Sequence, residues 1–409
     1  MRVVTGIRVL FGVCVAAVLL MPLARCRSDA GKKDGFAPLV AAMDNRYGLT
    51  TEETLASDEE KIQNYFNHPK EEDFFTSADR EPGERAPRIH YRVYVPDPPV
   101  VSRGAIVISS GRTESSIIYP ELIYDLQRQG YSVFIHDHRG QGASEKVIPG
   151  AKETDQRGHV EDFKFYVDDL HQFVETVVKR QSTPAKRFLL AHSMGGGIAS
   201  LYERYPSDFA AAALVTPMHE PILLHEKATG TIAWLNRHVI PWLSKSTDYG
   251  KSLKGYDPDK FGKNDLTHSR LRYETKNAAY DTKATHKIGG ATHGWIGQAY
   301  WAGEEARKEA GKIQIPVLLL QGGDDSIVGA DAQVEFCRTA PRCKGFVIEK
   351  SFHAVFLEAD TFRIPALTAV LDFFDHPPAT QEACKAWQPG PAAPGRLTAA
   401  RSVSKSSGT

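Results

Sequence analysis

The sequence predicts an α/β protein: a mostly parallel, doubly wound sheet with helices on both faces. Two observations lead there. Short, continuous apolar runs recur at residues 105–108, 133–135, 188–190, 212–215, 316–321 and 345–348, and stretches with helical periodicity separate several of them. Strands buried on both faces read this way, and their alternation with amphipathic helices specifies a parallel sheet. The second observation is Ala191-His192-Ser193-Met194-Gly195, which follows one apolar run directly and opens a Gly-rich helix start. A turn from strand to helix this tight needs small residues two before and two after its serine, and it holds the hydroxyl proud of the sheet edge.

Composition narrows the function. With 409 residues, 42% of them apolar, the chain is long enough for one large core or two small domains. Fifty basic residues balance fifty acidic ones, so no overall field attracts nucleic acid, and no protein partner is indicated. A small or amphiphilic molecule is the expected partner. No internal repeat is present.

Taken in order, residues 1–30 read as a signal peptide or membrane anchor. Arg2 and Arg8 precede an apolar run over residues 9–23, which suits the central region of an export signal better than a full bilayer span. Cys26 follows Leu23-Ala24-Arg25, a lipoprotein-like box except that Arg25 stands where a small residue is required. Arg25, Arg27, Lys32 and Lys33 then resist translocation, or favour the opposite orientation of an uncleaved anchor. Membrane association is expected, on the periplasmic side if exported; the facing side is left open.

Residues 31–85 are polar and charged and read as an N-terminal helical extension. Ser57-Asp58-Glu59-Glu60 offers a capping box for a short helix with Ile62, Tyr65 and Phe66 on one face. From Ile89 the apolar positions alternate through Tyr91, Val93 and Val95, predicting a half-exposed strand. Helices are expected near residues 121–129 and over 162–179, the latter from the spacing of Phe163, Val167, Leu170, Phe173, Val174 and Val177. About a hundred residues, near 217–310, separate the strand ending at Val215 from the next one, far beyond an ordinary crossover, and predict a helical cap. Trp234, Trp242, Trp295 and Trp301 lie in it. Most of these pack the cap on the core; the segment 221–243 is read either that way or as lining an acyl-chain groove that touches the bilayer. A short helix is expected over residues 330–337. After His376 the chain is rich in Ala, Pro, Gly and Ser, and residues 377–409 are expected to be a disordered tail.

Chemistry in an open parallel sheet sits beyond the carboxyl ends of the strands. Three such ends carry reactive groups: Ser193; Gly322-Gly323-Asp324-Asp325; and Ser351-Phe352-His353. A serine hydroxyl needs an adjacent base, which His353 supplies as an imidazole titrating near neutrality. A carboxylate holds that imidazole in the right tautomer, Asp325 by preference and Asp324 as second choice. His192 belongs to the turn, but alternation points it away from Ser193 and into the sheet packing. Two backbone donors form the oxyanion hole: the Met194 amide, and the Arg112 amide in the loop after the 105–108 strand. The Arg112 guanidinium is read as a surface salt bridge in preference to a phosphate contact. Asp137-His138-Arg139-Gly140-Gln141-Gly142 lacks the spacing of a nucleotide fingerprint and reads as a loop turning back near the site, with Asp137 and Arg139 in local hydrogen bonds. No cysteine pair has metal-ligand spacing; Cys337 can bridge to Cys343 or Cys384, and buried free thiols are an equal alternative. No metal or organic cofactor is called for.

Gly111-Arg112-Thr113-Glu114-Ser115-Ser116, Asp137 to Ser144, Arg157-Gly158-His159-Val160 and Ala191 to Gly196 together resemble the monoacylglycerol lipase and bacterial inner-membrane lysophospholipase branch of the α/β-hydrolases, which also includes the S33 serine aminopeptidases. Leu266 to Arg270, Gly289 to Thr292 and Trp295 in the cap resemble the bacterial branch more closely. The resemblance runs from about Phe74 to about His376, so residues 86–376 form the expected hydrolase domain. It implies an α/β-hydrolase fold and a serine hydrolase acting on monoacyl lipid esters through an acyl-enzyme, with Ser193, Asp325 and His353 at the triad positions and the Arg112 and Met194 amides at the oxyanion positions. A serine aminopeptidase or general carboxylesterase is the alternative. An intact triad argues against a non-catalytic binding protein.

Overall fold

The computed structural model describes residues 35–39, 44–78, 85–96, 102–181, 186–202, 208–222 and 246–390. These form one nine-stranded sheet in the order β1-β9-β8-β7-β6-β4-β5-β3-β2. The strands are β1 (Ala37–Pro38), β2 (Glu71–Thr76), β3 (Arg88–Tyr94), β4 (Gly104–Ser109), β5 (Tyr131–His136), β6 (Arg187–His192), β7 (Ala211–Val215), β8 (Val317–Gly322) and β9 (Cys343–Ile348). Pairing is parallel throughout except for β2 with β3 and β3 with β5. All the apolar runs read as strands are strands.

Alternation along each central strand feeds two cores. Val107, Phe134, Leu189, Leu214 and Leu319 face one side, and Ile106, Ile108, Val133, Ile135, Leu190, Leu318 and Leu320 the other. The helices are α1 (Glu52–Phe66), α2 (Pro120–Arg128), α3 (Lys164–Phe173), α4 (Met194–Ser200), α5 (Arg270–Asp281), α6 (His293–Glu309), α7 (Ala330–Thr339), α8 (Asp360–Asp375) and α9 (Gln381–Ala386). Leu170 and Phe173 of α3, Ile198 of α4 and Phe336 of α7 cover the first face; Leu122 and Leu126 of α2 with Leu367 and Phe374 of α8 cover the second. Truncating one of these fully buried leucines to alanine removes about 3 kcal/mol.

Several expectations are corrected. The N-terminal helix begins at Glu52, not after Ser57, because Thr51 and Thr54 form the capping box: the Thr51 hydroxyl accepts from the Thr54 amide and the Thr54 hydroxyl from the Thr51 amide. The extension is not helical alone; it supplies β1 and β2, the two outer strands of the sheet. Apart from Arg88 and Arg92, β3 is buried on both faces, His90 included, rather than half-exposed: Phe173 packs on Tyr91 and Phe66 of α1 on Tyr94. The helix expected over 162–179 is present, running from Lys164 through a π-helical turn (Val174–Val178) to Gln181. Order also runs beyond His376: Cys384 is buried in α9, and the Trp387 ring packs 5.1 Å from Phe373 and 6.0 Å from Phe346. These apolar contacts were hidden by the polar composition around them.

Between β7 and β8, in the stretch read as the cap, the described residues include α5 and α6. α5 is clamped to the core by Arg272, which donates to Glu121 at the start of α2 (2.8 and 2.9 Å) and to Asp360 at the start of α8 (2.8 Å). Trp295 is buried in α6. Trp234, Trp242 and most of the segment 221–243, together with the leader 1–30, Cys14, Cys26 and the chain after residue 390, lie outside the described residues. Among the described residues no helix is long and apolar enough to cross a membrane. Cys337 and Cys343 form a disulfide across α7 and β9, while Cys384 is a buried thiol donating to the Arg342 carbonyl; of the alternatives, the short-range bridge is the one formed.

Candidate active site

Ser193 ends β6 with φ 53° and ψ −118°, a conformation an L-residue adopts only under constraint. Its amide donates to the Val215 carbonyl at 3.1 Å, and its carbonyl accepts from Met218 at 2.8 Å, so β7 and the residues after it hold the turn. The demand for small neighbours is steric: a Cβ on Gly195 would lie 2.1 Å from the Ser109 carbonyl oxygen. Ala191, paired with Ser109, has no exposed surface. Met194 starts α4, so its amide has no intrahelical acceptor and is free for a ligand at the positive end of the helix.

The other two strand ends deliver their groups to this hydroxyl. His353 Nε2 lies 2.8 Å from Ser193 Oγ, and His353 Nδ1 lies 2.8 Å from Asp325 Oδ2. Asp325 Oδ1 accepts from the Ile327 and Val328 amides (2.8 and 3.2 Å), which fixes the carboxylate. Because a carboxylate only accepts, Nδ1 carries the proton and Nε2 is left to accept from Ser193. Asp324, the second choice, is exposed. All three predicted side chains therefore converge.

The loop after β4 is shaped by contacts that sequence pattern does not show. Thr113 has φ 63°. Gln141 grips the loop three times: its amide group donates to the Gly111 and Glu114 carbonyls (3.1 and 3.0 Å), and its oxygen accepts from the Thr113 amide (2.9 Å). His138 Nε2 meets the Ser110 carbonyl at 3.0 Å, and the Tyr280 hydroxyl of α5 donates to the Thr113 carbonyl at 2.8 Å. The segment 137–142 is thus structural, as expected, and braces the Arg112 loop. Asp137 accepts from the Ser116 and Ala143 amides (2.7 and 3.0 Å). Arg139, however, is engaged at long range, donating to both oxygens of Asp169 (2.7 and 2.8 Å).

His192 does not simply pack in the sheet. Its Nδ1 lies 3.1 Å from Glu114 and its Nε2 3.1 Å from the His353 carbonyl. Both neighbours are hydrogen-bond acceptors, so these contacts favour the protonated ring. Burial opposes that charge, but the Glu114 carboxylate outweighs it and raises the His192 pKa above 6.5. Burial likewise pushes Glu114 up, yet the His192 charge and hydrogen bonds from His192, Tyr119 and the Gly111 amide hold it at about 2. Glu114 so links the Arg112 loop to the backbone of His353. A Glu three residues after Gly111 was the available signal, and only the fold gives it meaning.

Arg112 departs from the expected surface salt bridge. Its Nη1 donates to the Gly289 carbonyl at 2.9 Å, and the guanidinium lies 5.1 Å from the centre of the Trp295 ring. Elsewhere, His171, Glu175 and Asp208 lie close enough to hold a cation, but the Lys179 ammonium already contacts both carboxylates.

A parallel sheet with a strained serine at one strand end and an acid and an imidazole at two others defines an α/β-hydrolase. Residues 101–360 match the family model described as serine aminopeptidase, S33. The chain belongs to that family. It is 35% identical over 283 residues to lysophospholipase L2 of Escherichia coli K12, covering 66% of this chain and 80% of that one. It is 34% identical over 151 residues to monoglyceride lipase of Rattus norvegicus, covering 36% and 45%. Among solved structures, a soluble variant of monoglyceride lipase from Saccharomyces cerevisiae, bound to a substrate analogue, shares the fold with TM-score 0.56 at 20% identity, covering 75% of this chain and 96% of that one.

Proposed function

We propose that this protein cleaves the carboxylic ester of a monoacyl lipid, a lysophospholipid or monoacylglycerol, through an acyl-enzyme. Ser193 Oγ attacks the ester carbonyl carbon as its proton passes to His353 Nε2. Asp325 keeps the imidazole oriented and stabilises its charged form. The oxyanion is held by the Met194 and Arg112 amides. The C–O bond then breaks, and the leaving alcohol takes its proton from His353. A water molecule attacks the acyl-enzyme, gives its proton to His353, and the fatty acid departs as Ser193 regains its hydrogen. No metal or organic cofactor takes part.

The observation that carries this reading is the unbroken relay Ser193–His353–Asp325, with both contacts at 2.8 Å. The lipid assignment is supported by the named activities of the E. coli and rat relatives. Membrane association is supported by the apolar run of residues 9–23, and an oxidising compartment by the Cys337–Cys343 bridge. The test is a substrate panel of lysophospholipids, monoacylglycerols and aminoacyl amides, run on the wild type and Ser193→Ala. Turnover of the lipid esters that falls by about 10⁴-fold or more in the variant is expected. Preference for aminoacyl amides would favour the aminopeptidase chemistry for which the family model is named, and undiminished turnover in the variant would remove the mechanism.

A further inference from the structure

Arg112 carries a charge that no carboxylate among the described residues neutralises. The fully buried arginines of the described structure each face a carboxylate: Arg139 faces Asp169, Arg272 faces Glu121 and Arg363 faces Asp125, at 2.7 to 2.8 Å, whereas Arg112 is half-buried. Among the described residues, Arg112 contacts the Gly289 carbonyl and the face of Trp295. Both attract a cation, but neither has net charge to offset it. Burial without a counter-charge lowers the Arg112 pKa to about 10, which still leaves it protonated at neutral pH. A half-buried cation without a counter-charge is less stable than a paired one.

The guanidinium is also well held. Gly158 leaves it room, since a Cβ there would lie 2.8 Å from Nη1, and the Trp295 ring and Gly289 carbonyl fix its plane. One N–H is used on Gly289, and the others have no protein partner among the described residues. A pre-oriented fork of donors is the arrangement that takes a phosphate through paired hydrogen bonds.

Covalent geometry connects this cation to the reacting ester. The backbone amide of the same residue is the proposed oxyanion donor. From that amide nitrogen to the guanidinium carbon is about six bonds, and from the ester carbonyl carbon to the phosphorus of a 1-acyl glycerophospholipid is also about six bonds, each path spanning roughly 6–8 Å. A substrate whose carbonyl oxygen sits on the Arg112 amide can therefore lay its phosphate along the side chain of the same residue. We propose that the Arg112 guanidinium binds the headgroup phosphate, so that the site selects phosphate-bearing monoacyl lipids over neutral monoacylglycerols. This rests on the lipid-esterase reading above and sharpens it.

The experiment compares kcat/KM for a lysophosphatidylethanolamine and a monoacylglycerol of the same acyl chain, in neutral detergent micelles, for wild type, Arg112→Gln and Arg112→Lys. The wild type is expected to favour the phospholipid by about tenfold or more, and Arg112→Gln to lose most of that preference, chiefly through KM. Arg112→Lys should restore part of it, since charge without the planar fork still attracts phosphate. As a second measurement needing no variant, sn-glycerol 3-phosphate should slow fluorophosphonate labelling of the wild type at concentrations where glycerol does not. A parallel fall for both substrates in Arg112→Gln, or equal inhibition by glycerol and its phosphate, would overturn the phosphate site and leave Arg112 as a structural clamp. Wild-type turnover of neither ester would instead overturn the lipid-esterase reading, and the phosphate site with it.

Discussion

The two loops proposed to offer oxyanion donors are built in opposite ways. The turn at Ser193 is set by close backbone contact: Gly195 sits against the Ser109 carbonyl, Ala191 is enclosed, and the serine itself takes φ 53°. The loop of Gly111 and Arg112 is held by polar side chains from remote segments, with Gln141, His138 and Tyr280 on its carbonyls and amides and the Glu114–His192 pair behind it. A steric constraint fails abruptly when a methyl group is added, while a polar brace weakens in steps. The first is written in five consecutive residues; the second exists only after folding.

The largest effect should come from adding that methyl group. Gly195→Ala would force β4 away from β6, and we expect a loss of more than about 3 kcal/mol in stability together with loss of activity, read by urea denaturation and ester hydrolysis. Wild-type behaviour would show that the turn is slack, and would erase the contrast between the two loops.

Glu114→Gln tests the polar side. The His192 contribution to stability is fully present below pH 6.5, where the ring would be charged even unfolded, and is lost as pH rises through its raised folded pKa. The Glu114 contribution is present above pH 4.5 and is lost as pH falls towards about 2. The variant should therefore be less stable than wild type by about 3 kcal/mol between pH 4.5 and 6.5, with a smaller gap at alkaline pH. Its kcat should fall about 10- to 100-fold with little change in KM, since only the hole and the base are disturbed. A stability gap that does not vary with pH would contradict the charged pair.

Gln141→Ala removes three hydrogen bonds from the Arg112 loop without touching the serine turn. We expect a fall in kcat of about tenfold, measured on a soluble ester. An unchanged kcat would show the loop to be set by its other contacts. The smallest functional effect belongs to a site remote from both loops: Cys337→Ser with Cys343→Ser should cost about 2 kcal/mol in stability and leave kcat unaltered. A change in kcat there would mean that the sheet edge reports to the site.

What sequence could and could not show follows the same division. The strands were legible because burial on both faces demands continuous apolar runs, and the order Ser193, Asp325, His353 followed once each was seen at a strand end. The outer strands β1 and β2 were not legible, since Ala37–Pro38 is too short to carry a pattern and Glu71–Thr76 is largely polar. Trp387 and Cys384 lie in a polar, Pro-rich stretch whose average hides two well-placed apolar contacts. Alternation gives His192 a direction but not a partner. The usual fate of an arginine side chain says nothing of the place of Arg112 beside Trp295 and Gly289, which depends on a cap that folds back from nearly two hundred residues away.

The convergence of Ser193, His353 and Asp325 is tested most directly by trapping the covalent adduct. Treating the wild type with a fluorophosphonate and mapping the modified peptide by mass spectrometry should place one adduct on Ser193, with labelling slowed by several orders of magnitude in His353→Ala. An adduct on any other residue, or labelling of His353→Ala at the wild-type rate, would contradict the account.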